Sequence, residues 1–425
     1  MTLDLTNKKV TVIGARRSGL AVAQLVAKMH GRPRISDSGP ADVIRKEIQG
    51  FPAIPELELE LGEHSESFIG QSDLLVLSPG VRIDAPPVRW AQTRKIPVLG
   101  EIEFAWRFCP KPVIAVTGSN GKTTTVTLLA NMLESAGKKV CLCGNVGSAF
   151  SQHVLDLKDK DYVVLEISSF QLESIVDFRP RVAVFLNFSQ NHLDRHADLK
   201  EYLSAKKRIF LNQQPEDHAV LNDQDPTVKS LAKEIHSKVS FFNTPEQVAA
   251  TGFTNPNFLA VARVGDILGV PTEVCRKVFD EFKGVEHRME LVRVLNGVEY
   301  INDSKSTTAE ATRWALTRAF RPVILICGGR DKHLDFSVLT PLVRQKVKKL
   351  IVIGEAREIL KKTFQKVAEV EEAGSLQRAV GRARELAREG DCVILSPMCA
   401  SFDMFTDYEH RGRMFKDIVH GLEAA

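Results

Sequence analysis

The sequence predicts an α/β protein of three successive domains, each built on a mostly parallel β-sheet. Short apolar runs rich in β-branched residues alternate with helical stretches along the chain, which is the pattern of parallel strands joined by crossover helices. The length of 425 residues fits two to four domains at roughly 100–200 residues each. Hydrophobic residues make up 44% and charged residues 26%, as in ordinary globular proteins, so the chain has enough apolar material for several cores.

Composition excludes several classes of function. No apolar run approaches the ~18–20 residues that cross a bilayer, and the polar start MTLDLTNKK lacks the apolar core of an export signal, so we expect a cytoplasmic protein without membrane contact. The 57 Lys and Arg against 53 Asp and Glu leave a net charge of +4, too small to indicate nucleic-acid binding. The 7 cysteines show no CxxC or Cys/His spacing, which argues against a zinc site and for reduced thiols.

The first domain is predicted over residues 1–100. Strands are expected at residues 9–14 (KVTVIG), up to Asp37 and at residues 73–78 (DLLVLS), with a helix from about residue 19 to 30. Proline-rich turns at Pro86-Pro87 and Pro97 are expected to lead to a domain boundary near Gly100.

The second domain is predicted over residues 101–284 and the third over residues 285–425. In the second, strands are expected at 112–117, 162–167 and 182–187, helices at about 121–136 and 199–211, and less regular structure over 212–285. In the third, Asn296-Gly297 between two β-type runs predicts a hairpin of residues 291–295 and 298–302. Apolar strands are expected to follow at 323–327, 350–353 and 392–395.

A phosphate-binding loop is predicted at residues 117–125 (TGSNGKTTT), between an apolar strand and a helix. Gly118 and Gly121 let the backbone curl so that N–H groups and the positive end of the helix face a phosphate. Lys122 can reach the β- and γ-phosphates, and the Thr123 hydroxyl can ligate Mg²⁺. The common pattern GxxxxGK[ST] has glycine where this chain has Val116, so the loop is a variant one. Nucleotide triphosphate binding is the strongest inference from the residues alone.

Further polar groups follow apolar strands, where ligands bind in open α/β sheets. Glu166 ends the run YVVLE and has the oxygen chemistry that Mg²⁺ prefers, and His192 follows the next strand. Lys206 by its spacing alone reads as one solvated lysine beside Lys207 and Arg208. In the third domain, binding loops are predicted at residues 302–308 (NDSKSTT), 327–336 (CGGRDKHLDF) and 396–415 (SPMCASFDMFTDYEHRGRMF).

Together these segments resemble the Mur ligase family in the family's order, along all three predicted domains. The resemblance is carried by TGSNGKTTT, LEISSFQLE, NHLDRH, AKKRIF, His287-Arg288, INDSKSTT, GGRDK and the long segment at 396–415. That last segment is similar to the D-glutamate-adding branch of the family. The resemblance implies a Rossmann-like first domain for the UDP-sugar, a central phosphate-loop domain for ATP, and a Rossmann-like third domain for the amino acid.

The resemblance also implies residue roles, which we carry as expectations. Catalytic roles fall to Lys122, His192, Lys206, Lys305 and Lys332. Nucleotide contacts fall to Gly118, Ser119, Asn120, Gly121, Lys122, Thr123, Thr124, Asn255, Arg288 and Asp303. Substrate contacts fall to Ser18, Gly19, Asp37, Ser38, Pro79, Gly80, Asn145, Ser168, Thr307, Lys332, Ser401 and Tyr408. Magnesium, at two sites, would be held by Thr123, Glu166, His192 and Lys206, the last as a CO₂-derived carbamate.

The implied reaction joins D-glutamate to UDP-N-acetylmuramoyl-L-alanine through an acyl phosphate, with ATP as co-substrate and the enzyme as a monomer. Some positions depart from the family. Thr254 and Phe258 stand in the segment that relatives use for adenine, and Arg330 stands where relatives of this branch carry an acid. A sister ligase with another amino acid or acceptor, such as a folylpolyglutamate synthase, and a regulatory nucleotide-binding protein without turnover therefore stay open as alternatives.

Overall fold

The computed structural model describes residues 3–145, 147–189, 198–331 and 335–423. The chain forms two compact units, Met1–Phe282 and Lys283–Ala425. The described residues contain three sheets, two in the first unit and one in the second, with helices between the strands. The α/β class expected from the alternation of apolar and helical segments is confirmed.

The first sheet has five parallel strands in the order β3-β2-β1-β4-β5. Its two inner strands with the most apolar sequences are almost wholly buried, as expected for a sheet covered on both faces. The elements are β1 Lys9–Ile13, α1 Arg17–Lys28, β2 Arg32–Asp37, α2 Ala41–Gln49, β3 Glu58–Leu61, α3 Glu66–Ile69, β4 Leu74–Leu77, α4 Pro86–Thr93, β5 Val98–Gly100 and α5 Glu101–Trp106.

Pro86 and Pro87 do not form the expected turn, whereas Pro97 lies in irregular backbone just before β5. Pro86 and Pro87 open α4, because a proline in the first helical turn lacks only an N–H that the helix leaves unpaired. Gly100 ends β5 and α5 begins at the next residue. In α5 the buried Glu103 accepts three backbone hydrogen bonds, from the N–H groups of residues 176, 177 and 178, at 2.9–3.0 Å. The first two sheets therefore belong to one compact unit, and the boundary at residue 100 stays a prediction.

The second sheet has six parallel strands in the order β11-β10-β9-β6-β8-β7. Short 3₁₀ turns lie at Val154–Asp156, Arg208–Phe210 and Leu231–Lys233. The elements are β6 Val113–Thr117, α6 Lys122–Ser135, β7 Val140–Gly144, α7 Phe150–His153, β8 Tyr162–Glu166, α8 Ser169–Leu172, β9 Val182–Phe185, α9 Leu199–Lys207, β10 His218–Asn222, α10 Pro226–Ser230, β11 Lys238–Phe242, α11 Pro245–Thr251, α12 Pro256–Leu268 and α13 Thr272–Glu281.

The expectation of irregular structure over residues 212–285 is wrong. This stretch supplies two strands and four helices, and its polarity reflects amphipathic elements at the surface of the unit. In α13 the buried side chains are Cys275, Val278 and Phe279, which recur at helical spacing. This helical spacing is visible in the sequence, but the polar residues between these three positions made the segment resemble a loop.

The second unit holds one sheet of six strands in the order β12-β13-β17-β14-β15-β16. The hairpin around Asn296-Gly297 is confirmed as an antiparallel pair, and the remaining pairs of this sheet are parallel. A 3₁₀ turn lies at Ser337–Leu339. The elements are β12 Glu290–Leu295, β13 Val298–Asn302, α14 Ala309–Arg318, β14 Val323–Gly328, α15 Thr340–Lys346, β15 Val347–Ile353, α16 Arg357–Phe364, β16 Glu369–Glu372, α17 Leu376–Leu386, β17 Cys392–Leu395 and α18 Tyr408–His420.

None of the helices in the described part of the chain combines the length and apolarity that a bilayer span requires. Several of the candidate residues follow the carboxyl ends of parallel strands in their own sheet, where ligands bind in open α/β sheets.

Candidate functional site

The phosphate loop joins β6 to α6 as the sequence predicts. Gly121 lies at φ +83° directly before the helix, and Gly118 at φ +153° follows the strand, so the two turns need residues without a side chain. Val116 is an interior residue of β6 paired on both sides, which explains why this loop lacks the first glycine of the common pattern. The Ser119 and Asn120 amides donate to the backbone oxygen and the Oδ1 of Asn187, at 2.9 and 2.8 Å. Two amides of the loop that were expected to face a phosphate therefore donate to Asn187, which follows β9.

Two lysine amines meet at this loop. Lys122 Nζ donates to the carbonyls of Gly118 and Ser119 at 2.9 and 3.2 Å, and Lys206 Nζ donates to the same Gly118 carbonyl at 2.8 Å. Lys206 also lies 3.4 Å from the Thr117 hydroxyl and is only 1% exposed. The expectation from spacing alone, that Lys206 is a solvated lysine, is therefore wrong.

Burial lowers the pKa of Lys206 well below its usual value, the positive charge of Lys122 lowers it further, and the carboxylate of Glu166 opposes the shift. An amine in these surroundings carries less positive charge than an exposed lysine at neutral pH. It is correspondingly more nucleophilic, because a free electron pair is present for a larger share of the time.

Glu166 ends β8 on the same edge and is 2% exposed. Its Oε1 accepts a hydrogen bond from Asn145 Nδ2 at 2.8 Å, whereas its Oε2 has no partner among the described residues. A buried carboxylate with an orphaned oxygen is costly unless a cation pairs with it. Oxygen ligands of this kind suit Mg²⁺, so the residues present fit a divalent ion beside the phosphate loop.

Sequence reasoning missed Tyr202, which shapes the floor of this site. It is fully buried in α9, its hydroxyl lies 3.3 Å from Ser119 Oγ, and its ring lies 4.8 Å from Lys206 Nζ. Because Tyr202 precedes Lys206 by four residues on a helix, both side chains lie on one face. That spacing was the only sequence signal for the pair.

The start of α12 packs against the phosphate loop. Asn255 caps this helix by accepting from the Asn257 N–H at 2.9 Å, and the Phe258 ring stacks on Phe279 with centroids 4.4 Å apart. A side chain at Gly121 would meet the Asn257 carboxamide. The residue that approaches the loop is therefore Asn257, which the sequence analysis did not single out.

A cleft of about 380 Å³ opens within the first unit, between loops of its two sheets. Of the expected substrate residues, Ser18, Asp37, Pro79, Gly80 and Asn145 line this cleft. Other lining residues are Gly14, Arg16, Arg17, Ser78, Val81, Gly144, Gly147, Ala149 and Gln171. The structure thus brings together five residues from four separate segments of the sequence.

The remaining residues expected around this cleft have mainly structural contacts. Gly19 packs in the first turn of α1 against the Gly14 carbonyl, and Ser38 is exposed beyond β2. Asp37, which does line the cleft, also accepts from the Ala15 and Gly39 amides at 2.7 and 2.8 Å, so its carboxylate holds together the loops after β1 and β2. Ser168 caps α8 in a reciprocal pair with Gln171.

In the second unit, Asp303 directly follows β13, and Arg288 lies two residues before β12, the antiparallel partner of β13. Asp303 is 1% exposed, Ser306 and Ser396 donate to it, and the Met289 amide lies at 3.2 Å. Burial raises the pKa of Asp303 to about 6, against these hydrogen bonds and the nearby charge of Arg288. Arg288 Nε is buried and, within the described ranges, lacks a hydrogen-bond partner.

Two loops of the second unit are joined by Arg411, which belongs to the 396–415 segment of the family resemblance but had no expected site role. Its guanidinium is fully buried and donates to Ser304 Oγ, the Ser304 carbonyl and the Cys399 carbonyl at 2.9–3.2 Å. Burial lowers the pKa of Arg411 to about 10. The loops that it joins carry the expected residues Lys305, Thr307 and Ser401, and Lys305 Nζ lies 5.6 Å from the ring of Tyr408. Two expected residues, His192 and Lys332, lie outside the described residues.

Comparison with known proteins gives the family. Three family models match the chain in order: "Mur ligase MurD-like, N-terminal domain" at residues 8–100, "Mur ligase middle domain" at 116–260 and "Mur ligase, glutamate ligase domain" at 287–399. UDP-N-acetylmuramoylalanine–D-glutamate ligases are similar over nearly the whole chain. The relative from Koribacter versatilis is 39% identical, covering 99% of each chain, and the one from Thermoanaerobacter sp. strain X514 is 37% identical, covering 99% of this chain and 100% of its own.

Solved structures share the fold at low sequence identity. UDP-N-acetylmuramate–alanine ligase from Thermotoga maritima is 18% identical with a TM-score of 0.57, covering 97% of this chain and 99% of its own. The E. coli folate enzyme FolC with ADP is 16% identical with a TM-score of 0.57, covering 74% and 91%. Since relatives more than 30% identical span the full length and the family models match most of it, this chain belongs to the Mur ligase family.

Proposed function

We propose that the chain is an ATP-dependent ligase that joins D-glutamate to UDP-N-acetylmuramoyl-L-alanine in peptidoglycan precursor synthesis, releasing ADP and phosphate. The observation that carries this proposal is the gathering of Lys122, Lys206 and Glu166, from three separate elements, at one phosphate loop. Relatives of 35–39% identity bear the name of this activity, whereas the likeness to a folate enzyme rests on the fold alone.

The chemistry explains why these groups are needed. A carboxylate is a poor acyl donor, so ATP converts it to an acyl phosphate, and the amine of D-glutamate then displaces phosphate. Both reactants of the first step are anions, so cationic groups must offset their repulsion. Lys122, held at the phosphate loop, supplies that charge, and the positive end of α6 adds to it.

Magnesium would be held by Thr123, Glu166, His192 and Lys206, with two ions in all. When bound, Mg²⁺ neutralises phosphate charge and orients the transferred group. The orphaned Oε2 of Glu166 supports this assignment. Lys206 would act as a carbamate: its neutral amine bonds to the carbon of CO₂ and loses a proton, which leaves an anionic carboxylate. The lowered pKa of Lys206 favours this adduct, because only the neutral amine reacts.

The sugar nucleotide would occupy the cleft of the first unit, against Ser18, Gly19, Asp37, Ser38, Pro79 and Gly80, with Asn145 and Ser168 toward its reacting end. Asn255, Arg288 and Asp303 would contact ATP. D-Glutamate would be held through Lys305, Thr307, Lys332, Ser401 and Tyr408. The corresponding domains are residues 1–100, 101–284 and 285–425, and we propose that the enzyme acts as a monomer in the cytoplasm.

The decisive experiment is phosphate release in the presence of ATP, Mg²⁺ and UDP-N-acetylmuramoyl-L-alanine, comparing D- with L-glutamate. We expect release with the D-isomer only. Glutamate addition to a folate, with no activity on the UDP-sugar, would replace this function by that of a sister ligase. Absence of release with every component present would favour a regulatory protein that binds nucleotide without turnover.

A further inference from the structure

Asn145 belongs to both sites of the first unit. With Gly144, Gly147 and Ala149 it lines the cleft, and its carboxamide also donates to the Glu166 carboxylate at 2.8 Å. The residues that would hold the sugar nucleotide and the metal therefore share one side chain. This inference rests on the proposed function and adds a role for that side chain.

The backbone around Asn145 is held tightly to Glu166. Gly144 and Glu166 are register partners on the parallel strands β7 and β8, and the Asn145 N–H donates to the Glu166 carbonyl at 2.9 Å. Gly144 lies at φ +109°, and a Cβ there would come within 2.3 Å of that carbonyl oxygen, so only glycine allows this approach. The backbone N–H and the side-chain carboxamide of Asn145 thus both donate to Glu166.

The hydrogen bond selects which oxygen of Glu166 faces the metal position. It occupies Oε1 and leaves Oε2 as the orphaned oxygen. A carboxamide offers two N–H donors and an oxygen with two acceptor lone pairs, so the bond to Glu166 uses one of four hydrogen-bonding positions. Among the residues that the structure describes, the carboxamide has no other partner, which leaves a donor and an acceptor for a ligand in the cleft.

We infer that Asn145 is a positioning residue, which orients the Glu166 carboxylate for a divalent cation and links that carboxylate to the occupant of the cleft. Groups that orient a metal-binding side chain commonly change metal affinity 10–100-fold when they are removed. Such a residue acts on metal binding without touching the ion.

The test measures Mn²⁺ binding to the full chain by electron paramagnetic resonance, without nucleotide or UDP-sugar. Wild-type protein should show a site that Glu166→Gln removes, and Asn145→Ala should weaken that site roughly ten-fold. Ser148→Ala is the matched control: it lies on the same loop, its hydroxyl pairs with His153, and it should keep wild-type Mn²⁺ affinity. Circular dichroism and the melting temperature check that each variant is folded.

A second measurement addresses the cleft. Calorimetric titration with UDP-N-acetylmuramoyl-L-alanine in a metal chelator should show weaker binding for Asn145→Ala, and the same loss should persist in the Glu166→Gln background. Wild-type Mn²⁺ affinity in Asn145→Ala, an equal loss in Ser148→Ala, or no Glu166-dependent Mn²⁺ site at all would overturn the inference. Because neither readout requires ligation, failure of the proposed reaction and failure of this inference are distinguishable.

Discussion

Lys122 is the residue on which the phosphate loop depends. Lys122→Ala removes the amine that donates to two carbonyls of the loop, so the proposed phosphoryl transfer loses one of the cations that offset its negative charge. We expect the rate of D-glutamate-dependent phosphate release to fall by roughly 10²–10³-fold or more. Lys138→Ala, on an exposed residue beyond the far end of α6, should be unaffected. Near-normal turnover of Lys122→Ala would refute the loop assignment.

Lys206 and its neighbour Lys207 provide a matched pair. Lys206 is 1% exposed, whereas Lys207 forms an ion pair with Glu234 at 2.8 Å on the surface. We expect Lys206→Ala to be inactive and to regain part of its activity in added formate or acetate, because a free carboxylate can replace the carbamate. Lys207→Ala should retain activity without any additive. Full activity of Lys206→Ala in plain buffer would contradict the carbamate role.

The raised pKa of Asp303 predicts a pH effect on stability. The protonated form is favoured in the folded state, so this group's contribution is fully present below the unfolded pKa of about 3.8 and is lost as pH rises through about 6. The loss is on the order of 3 kcal/mol, since each pKa unit corresponds to about 1.4 kcal/mol. Denaturant unfolding is measured from about pH 3.5 to 7, a range that spans both pKa values. The free energy of unfolding of Asp303→Asn should not show this decline.

The control for that experiment is Asp417→Asn, an exposed position on α18, which should follow the wild-type profile. The slope with pH is the diagnostic quantity, because Asp303→Asn also alters hydrogen bonds with Ser306 and Ser396. Parallel profiles for wild type and Asp303→Asn would show that burial does not raise this pKa.

At the scale of single residues, sequence reasoning succeeded where a local pattern fixes the position of a group. Lys122 follows a glycine turn between a strand and a helix, and Glu166 ends an apolar strand, so each has a fixed place at the sheet edge. The prediction from spacing that Lys206 is solvated was wrong, because burial of that lysine depends on Tyr202 and on a loop nearly 90 residues earlier. The role of Arg411 was not predicted, because one of its two partner residues, Ser304, lies 107 positions away.

Helix α1 begins beside the cleft of the first unit. Arg16 and Arg17 lie at the N-terminus of this helix and line the cleft. Positive charge at a helix N-terminus favours a diphosphate. We expect the double variant Arg16→Ala/Arg17→Ala to bind UDP about ten-fold more weakly, with less dependence on salt, and to leave uridine binding unchanged. Calorimetric titration at two ionic strengths measures this.

Arg45→Ala, on the exposed face of α2, controls for the general loss of charge and should bind UDP as the wild type does. If the double variant loses uridine and UDP affinity equally, the arginines do not act on the phosphates.

Strands were predicted correctly where a run of mainly apolar residues is buried. They were missed where the strand is short or lies at the edge of a sheet. β1, β4, β6, β8 and β9 were placed correctly because their apolar residues are uninterrupted. The edge strands β3 and β16 carry alternating glutamates with modest burial, and they resemble loops in the sequence. Their pairing comes from the neighbouring strand, which no local pattern reveals.

At the scale of the molecule, the three-sheet architecture was predictable and the division into two compact units was not. Alternating strands and helices recur along the chain, so the class follows from the pattern. The first two sheets share one unit through contacts such as that of Glu103 with residues 176–178, more than 70 positions away. The sequence of α5, with Glu101 and Glu103 among apolar residues, gives no hint of such partners.

The two units should respond differently to a ligand of the cleft. UDP at 100 times its dissociation constant stabilises the unit that binds it by about 2.7 kcal/mol. We expect two calorimetric transitions, of which only the one belonging to residues 1–282 moves upward with UDP. Assignment of the transitions uses Arg16→Ala/Arg17→Ala, which should reduce the shift. Equal shifts of both transitions would contradict the assignment of the cleft to one unit.

The strand order of the second unit has a consequence for synthesis. β17 pairs with β13 on one side and β14 on the other, so the middle of this sheet is completed by a strand that the ribosome makes after β14, β15 and β16. At roughly 5–20 residues per second, β14 waits several seconds for its neighbour. During that interval two inner strand edges stand open to other nascent chains. A premature stop codon before residue 392 would remove β17 and leave β13 and β14 without the strand that pairs with both. Such products become substrates for chaperones and proteases.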